Sequence, residues 1–123
     1  MIHHLDLAEL LHLAESVPGD PQVDDYGALV SATTRPSAAV SEIECYQSLT
    51  GKAAALLHTL ALLEPLEHSN KRYALVAALA FMEANGVRVK PDVGRAAALL
   101  ADIKPGMSGV RAIARSLREW TAA

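Results

Sequence analysis

The sequence predicts an all-α fold, a single compact bundle of about six helices. Alanine and leucine supply 23 and 18 of the 123 residues, a third of the chain, and both are strong helix formers. Only five residues are aromatic, and valine, isoleucine and threonine are sparse, which argues against a β-sandwich or barrel. Apolar residues make up 51% of the chain, enough to fill the core of one domain over residues 1–123.

Apolar periodicity, capping residues and chain breakers define the predicted helices. They span Leu7–Val17, Tyr26–Thr33, Glu44–Leu63, Asn70–Ala84, Pro91–Asp102 and Ser108–Trp120. Asp6 and Glu9 have the spacing of a capping box before the first helix, and Asp24 or Asp25 can cap the second. Arg35-Pro36 ends the second helix because the residue before a proline avoids the helical region.

The later boundaries follow from smaller signals. Residues 36–41 are mostly small and form either a loop or a short extended flap. The third helix carries a dense apolar run, so we expect it to be largely buried, with His58 a core residue that has one hydrogen-bond partner. Gly86 is placed to end the fourth helix in the left-handed conformation, and Pro91 and Asp92 begin the fifth.

The charge is divided unevenly along the chain. Residues 1–69 hold ten acidic and two basic residues (−8), residues 70–123 hold nine basic and four acidic residues (+5), and the sum is the net charge of −3. This balance argues against a nucleic-acid-binding protein, which would be basic throughout. The basic second half suits a phosphate-bearing ligand, an acidic partner segment or a solvated face, and Arg111, Arg115 and Arg118 share one side of the last helix.

The sequence lacks the features of membrane proteins, secreted proteins and proteins with disulfides or zinc clusters. Its longest apolar runs are far shorter than the ~20 residues that cross a bilayer, and its N-terminus lacks the regions of a signal peptide. A single cysteine, Cys45, forms no intrachain disulfide and no thiolate zinc cluster, and the His3-His4 pair has no further ligands nearby. We therefore expect a soluble cytoplasmic protein without membrane contact or a metal cluster of its own.

The fourth helix breaks a local rule. Helix N-termini carry partial positive charge and prefer acidic residues, yet this helix begins Ser69-Asn70-Lys71-Arg72. Two cations next to this partial positive charge destabilise the helix start. A bound anion would make the arrangement favourable, because backbone N–H groups, the helix dipole and two cations would converge on it. We therefore predict that these four residues bind a phosphate group or nucleotide. The alternative is that Lys71 and Arg72 simply point to water.

The residues around this helix start resemble the active-site region of the Fic/Doc family, especially its short Doc-type toxins. In that family an apolar helix containing Leu-Leu-His leads into His-Pro-Phe-x-Asp-Gly-Asn-Lys-Arg. The corresponding segment is LLHTLALLEPLEHSNKR at residues 56–72, without a gap, and the likeness continues through the alanine-rich helix to Val87. The length of the chain is also Doc-like.

The resemblance is incomplete at the residues that carry chemistry. The family's general-base histidine falls on Glu64, its magnesium-binding acid on His68 and its small residue on Ser69, while Asn70, Lys71 and Arg72 are retained. The resemblance implies Glu64 and His68 as catalytic residues, with Glu64 as the base. A reversed arrangement, with Glu64 near a metal and His68 as base, is the alternative. The implied cofactor is ATP or another nucleotide, with Mg²⁺ left open by His68, because magnesium prefers oxygen ligands.

Three functions follow from this pattern. The first is a Doc-like toxin that transfers a phosphoryl or nucleotidyl group to a translation-related protein, for example an elongation factor. The second is a catalytically inactive binding protein that keeps the anion pocket, and the third is a generic helical domain. The resemblance also implies a cognate antitoxin whose helical tail lies in a groove of the toxin, and a target-docking flap near residues 37–40. The arginines of the last helix are one hypothetical receptor for an acidic tail.

Overall fold

The computed structural model describes residues 1–107 and 109–121, and it confirms the all-α prediction. Six α-helices lie in the described residues: α1 (Leu7–Glu15), α2 (Tyr26–Thr34), α3 (Leu49–Leu63), α4 (Asn70–Ala84), α5 (Val93–Ala101) and α6 (Val110–Thr121). A two-stranded hairpin, β1 (Ala39–Val40) and β2 (Ile43–Glu44), is the sheet of this part of the chain. No helix in the described ranges combines the length and apolarity that a membrane span needs.

Helices α3 and α4 form the centre of the molecule. They pack along each other, α2 and α6 cover α3, and α1 lies against α4. The contact faces of the central pair are rich in fully buried small residues such as Ala53, Ala54, Ala74 and Ala77, so the two backbones approach closely. Larger side chains close the core from the outer helices, including Leu10, Leu29, Ile113 and Leu117.

The first two helices begin as the sequence predicts. The Asp6 side chain accepts from the Glu9 backbone N–H, and the Glu9 side chain accepts from the Asp6 N–H, which completes the capping box. Helix α1 stops at Glu15 rather than Val17, although Val17 remains a buried core residue. Asp25 rather than Asp24 caps α2, which gives way to a single 3₁₀ turn over Arg35–Ser37.

The predicted flap at residues 36–41 is extended in its second half and belongs to the hairpin. Ala39 pairs with Glu44 and Val40 with Ile43, and the two central turn residues, Ser41 and Glu42, both have positive φ. Because this pairing takes residues 43–44 into a strand, the prediction that α3 begins at Glu44 is wrong. The helix instead begins at Leu49.

Two polar groups set the start of α3 and hold the hairpin against it. The Ser48 side chain accepts from the Gly51 N–H and caps the helix. Lys52, only 2% exposed, donates to the Tyr46 carbonyl and lies 3.3 Å from the Glu44 carboxylate. A buried ammonium group therefore joins the chain after β2 to the central helix.

Helix α4 begins at Asn70 and ends at Ala84, as the sequence predicts, and Gly86 follows it in the left-handed conformation with φ +83°. Asp92 caps α5 through the Arg95 N–H, and α5 occupies the predicted stretch apart from its outermost residues. The predicted start of the last helix, Ser108, lies outside the described residues. In α6 the arginines at 111, 115 and 118 are exposed, opposite buried Ile113, Leu117 and Trp120.

Candidate functional site

The connection between α3 and α4, residues 64–69, turns sharply at both ends. Glu64 ends α3 in the left-handed conformation (φ 49°, ψ 63°), and Ser69 precedes α4 in the same conformation (φ 63°, ψ 28°). Pro65 follows Glu64 directly and cannot continue the helix. The two left-handed residues reverse the chain within six residues, so the C-terminal end of α3 and the N-terminal end of α4 lie at the same edge of the bundle.

The side chain of Asn70 holds this loop in shape. Its Oδ1 accepts from the Leu66 N–H at 2.8 Å, and its Nδ2 donates to the Leu66 carbonyl at 2.9 Å. Asn70 is 7% exposed and Leu66 2% exposed, so both hydrogen bonds are buried. The amide that the sequence predicts to cap the helix or contact a phosphate is engaged with the loop backbone at both of its polar atoms.

A second backbone segment supports the loop from the other side. The Asp24 and Asp25 N–H groups both donate to the Pro65 carbonyl, at 2.7 and 3.0 Å. The Glu67 N–H donates to the Gln22 carbonyl at 3.0 Å, and the Gln22 N–H donates to Glu67 Oε1 at 2.7 Å. With these contacts and those of Asn70, the loop backbone has hydrogen-bond partners on both of its edges, which restricts its motion relative to α2.

A cavity of about 360 Å³ opens at the start of α4. The structure brings together every site residue that the sequence predicts. The lining residues are Ala61, Glu64, Glu67, His68, Ser69, Asn70, Lys71 and Arg72. Lys71 is half-buried and Arg72 exposed, and the ion pairs formed among the described residues include neither cation.

The N-terminus of α4 is left without a side-chain cap. Ser69 accepts no hydrogen bond from the first turn, and its hydroxyl is instead 2.8 Å from His68 Nδ1. Helices α1, α2, α3 and α5, by contrast, each have a capping side chain. No Ser69 cap therefore satisfies the first-turn N–H groups of α4, and they add partial positive charge to a cavity that already contains Lys71 and Arg72.

The two predicted catalytic residues have different surroundings. The Glu64 carboxylate is exposed, lines the cavity and makes no side-chain hydrogen bond to the described residues. The His68 ring is hydrogen bonded to Ser69 and packs over Gly19, where an added Cβ would be 3.0 Å from His68 Cε1. Gly19 also has φ +90°, so the close approach and the backbone conformation both favour glycine there. Among the described residues, the His68 ring thus has a side-chain hydrogen-bond partner and the Glu64 carboxylate has none.

Several polar atoms of the cavity are already engaged within the protein. Glu67 is hydrogen bonded to a backbone N–H and Asn70 is committed to Leu66 at both polar atoms. His68 offers a ring nitrogen, and Mg²⁺ requires hard oxygen ligands in near-octahedral geometry. Within residues 1–107 and 109–121, no three His, Cys, Asp or Glu side chains are grouped so that they could hold a metal. The Glu64 carboxylate and Glu67 Oε2 have no hydrogen-bond partner among the described residues.

A polar cluster that the sequence does not predict lies around Arg35. Arg35 donates from Nε to the Tyr46 hydroxyl at 2.9 Å and from Nη1 to His58 Nδ1 (2.9 Å) and Thr59 Oγ1 (3.0 Å). His58, predicted to be a core residue with one partner, is half-buried and has Arg35 as that partner. Burial and, to a smaller extent, the Arg35 charge lower the pKa of His58. The guanidinium group ties the end of α2 and the segment after the hairpin to α3.

No sequence signal identifies this cluster. Arg35 is 11 residues from Tyr46 and 23 from His58, so it is the packing of α2 against α3 that brings them together. The cluster borders a separate cavity of about 350 Å³, whose lining includes Ser31, Thr34, Leu62 and Leu63.

Comparison with known proteins gives one strong similarity. No protein-family model matches the chain. A protein of Mycolicibacterium smegmatis (strain ATCC 700084 / mc(2)155) that carries the name Toxin Doc is 36% identical over 126 aligned residues. The alignment takes in 100% of this chain and 97% of that protein, so the similarity extends well beyond the α3–α4 region.

Proposed function

We infer the function from one premise: the chain belongs to the Doc toxin family. An identity of 36% over essentially the whole of both chains establishes that membership. The protein is therefore the toxin of a toxin–antitoxin module, and a cognate antitoxin is its expected partner.

We propose that the toxin transfers a phosphoryl or nucleotidyl group from ATP or another nucleotide to a hydroxyl of a translation-related protein, with an elongation factor as the first candidate. The observation that carries this proposal is the cavity at the uncapped start of α4, which contains Lys71 and Arg72 without carboxylate partners among the described residues. Phosphoryl-transfer sites work mainly by positioning and by charge stabilisation, and this cavity supplies cations and backbone N–H groups for both.

In the proposed reaction Glu64 accepts the proton of the acceptor hydroxyl. The hydroxyl oxygen forms a bond to phosphorus, and the bond from that phosphorus to the leaving phosphate oxygen breaks. The leaving group is the nucleoside diphosphate in phosphoryl transfer and pyrophosphate in nucleotidyl transfer. A carboxylate performs the same task in protein kinases. Glu64 is favoured over His68 because its carboxylate lines the cavity and makes no side-chain hydrogen bond to the described residues, whereas the His68 ring is hydrogen bonded to Ser69.

Loss of catalysis with retention of binding is the second candidate function. The residues at the two positions that carry chemistry in the family favour this function. His68 takes the position of the family's acidic residue, and Glu64 takes that of its histidine. Such a protein would act by capturing a nucleotide or a protein partner with Lys71 and Arg72.

Labelled nucleotide separates these functions. Purified protein is incubated with a cell lysate and ATP labelled at either the α or the γ phosphate, and proteins are resolved on a gel. Label from the γ position alone indicates phosphoryl transfer, and label from the α position indicates nucleotidyl transfer. We expect transfer to vanish in Lys71→Ala and Glu64→Ala. It should persist in the controls Lys104→Ala and Glu83→Ala, which alter exposed residues outside the cavity. ATP binding without label on any protein would support the second candidate.

A further inference from the structure

We propose that the cavity beside Arg35 binds a carboxylate group attached to a short apolar chain, with Arg35 and His58 as its hydrogen-bond donors. The cavity has a volume of about 350 Å³, which is enough for a small ligand. It shares no lining residue with the cavity at the start of α4. The inference therefore goes beyond the proposed function and does not depend on it.

The hydrogen bonds of Arg35 leave one of its nitrogen atoms unused. Nε donates to the Tyr46 hydroxyl at 2.9 Å, and Nη1 donates to His58 Nδ1 at 2.9 Å and to Thr59 Oγ1 at 3.0 Å. These contacts use both hydrogens of Nη1, whereas Nη2 has no partner among the described residues. Because a guanidinium nitrogen can only donate, a ligand that pairs with Nη2 must supply an acceptor.

The same contacts determine the tautomer of His58. A guanidinium group has no acceptor, so His58 Nδ1 accepts from Arg35 and the proton of the neutral ring lies on Nε2. His58 Nε2 makes no hydrogen bond within residues 1–107 and 109–121. The Thr59 hydroxyl is already used, because it accepts from Arg35 and donates to the Ala55 carbonyl at 2.8 Å. The unpartnered nitrogen atoms of the cluster are thus both donors.

The charge of Arg35 has no counterion in this part of the chain. None of the ion pairs of the described residues includes Arg35, and none of the residues that line its cavity is acidic. The guanidinium carbon is 5.6 Å from the centre of the Tyr46 ring, a favourable contact that offers no acceptor to Nη2. Burial, with a smaller contribution from Arg35, lowers the pKa of His58, so this ring is neutral at pH 7. One carboxylate matches the single positive charge, whereas a phosphate dianion exceeds it.

The apolar part of the proposed ligand follows from the other side of the cavity. Leu62 is half-buried and Leu63 is 49% exposed, and both line the cavity together with Ser31 and Thr34 of α2. A chain of a few carbon atoms next to the carboxylate would cover the two leucine side chains, and removing apolar surface from water is favourable. A free short-chain fatty acid has this chemistry, and so does a glutamate beside a leucine in a peptide.

Nuclear magnetic resonance of the ¹⁵N-labelled protein tests the site with both sources of carboxylate. The probes are hexanoate and, separately, a capped dipeptide of leucine and glutamate. We expect saturable shifts of the Arg35 Nε–H signal and of the backbone signals of residues 58–63. Hexanamide, which has the same chain without the charge, should bind about tenfold more weakly. The lower Kd of the two carboxylates shows whether the free acid or the peptide side chain is the better ligand.

Ser31→Glu supplies a competing carboxylate from the protein itself. Ser31 is exposed, lines the cavity and lies four residues before Arg35, at the spacing of an ion pair on one helix face. We expect the hexanoate shifts to disappear in Ser31→Glu and to persist in the matched control Ser31→Gln, which has the same size without the charge. Both changes are at an exposed helical position, so both variants should fold, and far-UV circular dichroism checks this.

Several results would overturn the inference. Equal binding of hexanoate and hexanamide, or equal loss of binding in the two Ser31 variants, would mean that the charge of Arg35 does not select the ligand. Binding that persists in Ser31→Glu would place the probe outside this cavity. Shifts confined to the start of α4, or no saturable shift at all, would also reject the site. Each of these results leaves the proposed transfer reaction in place, because that reaction uses a different cavity.

Discussion

The Asn70 amide is predicted to be a structural clamp whose removal destabilises the protein even when no ligand is present. Among the described residues, the Leu66 N–H and C=O have no hydrogen-bond partner other than this side chain. Asn70→Ala would leave both groups buried and unpaired, at about 1–3 kcal/mol each. Allowing for partial relaxation of the loop, we expect the free energy of unfolding to fall by about 2–4 kcal/mol. For a domain of this size that loss lowers Tm by roughly 6–16 °C.

Urea denaturation followed by circular dichroism measures this loss without nucleotide. The control is Gln47→Ala, which removes an exposed amide that makes no side-chain hydrogen bond to the described residues and should change stability by less than about 0.5 kcal/mol. Both variants should keep the m-value of the unaltered protein, since the surface exposed on unfolding is unchanged. A loss below about 1 kcal/mol in Asn70→Ala would refute the clamp.

Asn70→Asp distinguishes the two halves of the clamp. Its carboxylate can still accept from the Leu66 N–H, but it places a second oxygen against the Leu66 carbonyl in a buried site. We expect a loss at pH 7 at least as large as that of the alanine variant. Burial raises the pKa of such a carboxyl group, and the protonated form can donate to the carbonyl, so stability relative to the unaltered protein should recover as the pH falls. The absence of any recovery would argue that the Leu66 carbonyl does not need a donor.

Three further changes test other parts of the structure. Ser69→Gly should raise the free energy of unfolding by about 0.5 kcal/mol, because Ser69 has φ +63° and supplies no cap; urea denaturation that shows a loss would contradict this. Tyr73→Phe should lower it by about 1 kcal/mol, because the buried hydroxyl donates to the Leu10 carbonyl at 2.7 Å; an unchanged urea midpoint would mean that the bond adds nothing. His58 has a lowered pKa in the folded protein, so the unfolded chain binds its proton more readily and stability is lost as the pH falls below about 6.5. His58→Asn keeps an acceptor for Arg35 and should flatten this pH dependence in urea titrations at pH 5–8, whereas an unchanged slope would locate the titration elsewhere.

The parts of the fold that could be predicted depend on residues close together in the sequence. The capping box of α1, both ends of α4 and the cation pair in its first turn are each set within a few residues, and the structure has them where the sequence places them. Because Glu64 and Arg72 are separated only by a short loop and one helical turn, the site cluster also follows from local order once the α3–α4 turn is recognised.

The features that could not be predicted depend on contacts between distant segments. The start that the sequence predicts for α3 is too early, because residues 43–44 pair with β1. Pairing within the hairpin, and not helix propensity, determines their conformation. The support of the loop by Gln22 comes from a segment 45 residues away from Glu67. The Arg35 cluster likewise forms only when α2 packs on α3. Sequence periodicity predicts the helices, but not which polar groups meet between them.

The contacts that hold the site in place are separate from the groups that would act in it. Asn70 and the backbone of residues 22–25 hold the loop at Pro65, Leu66 and Glu67, whereas the Glu64 carboxylate and the His68 ring have no role in those contacts. The loop geometry should therefore survive exchange of either residue, which is why Glu64→Ala can test the proton acceptor without collapse of the cavity. The same separation explains how a chain of this family can carry Glu64 and His68 at positions of different chemistry and still keep Lys71 and Arg72 at the start of α4.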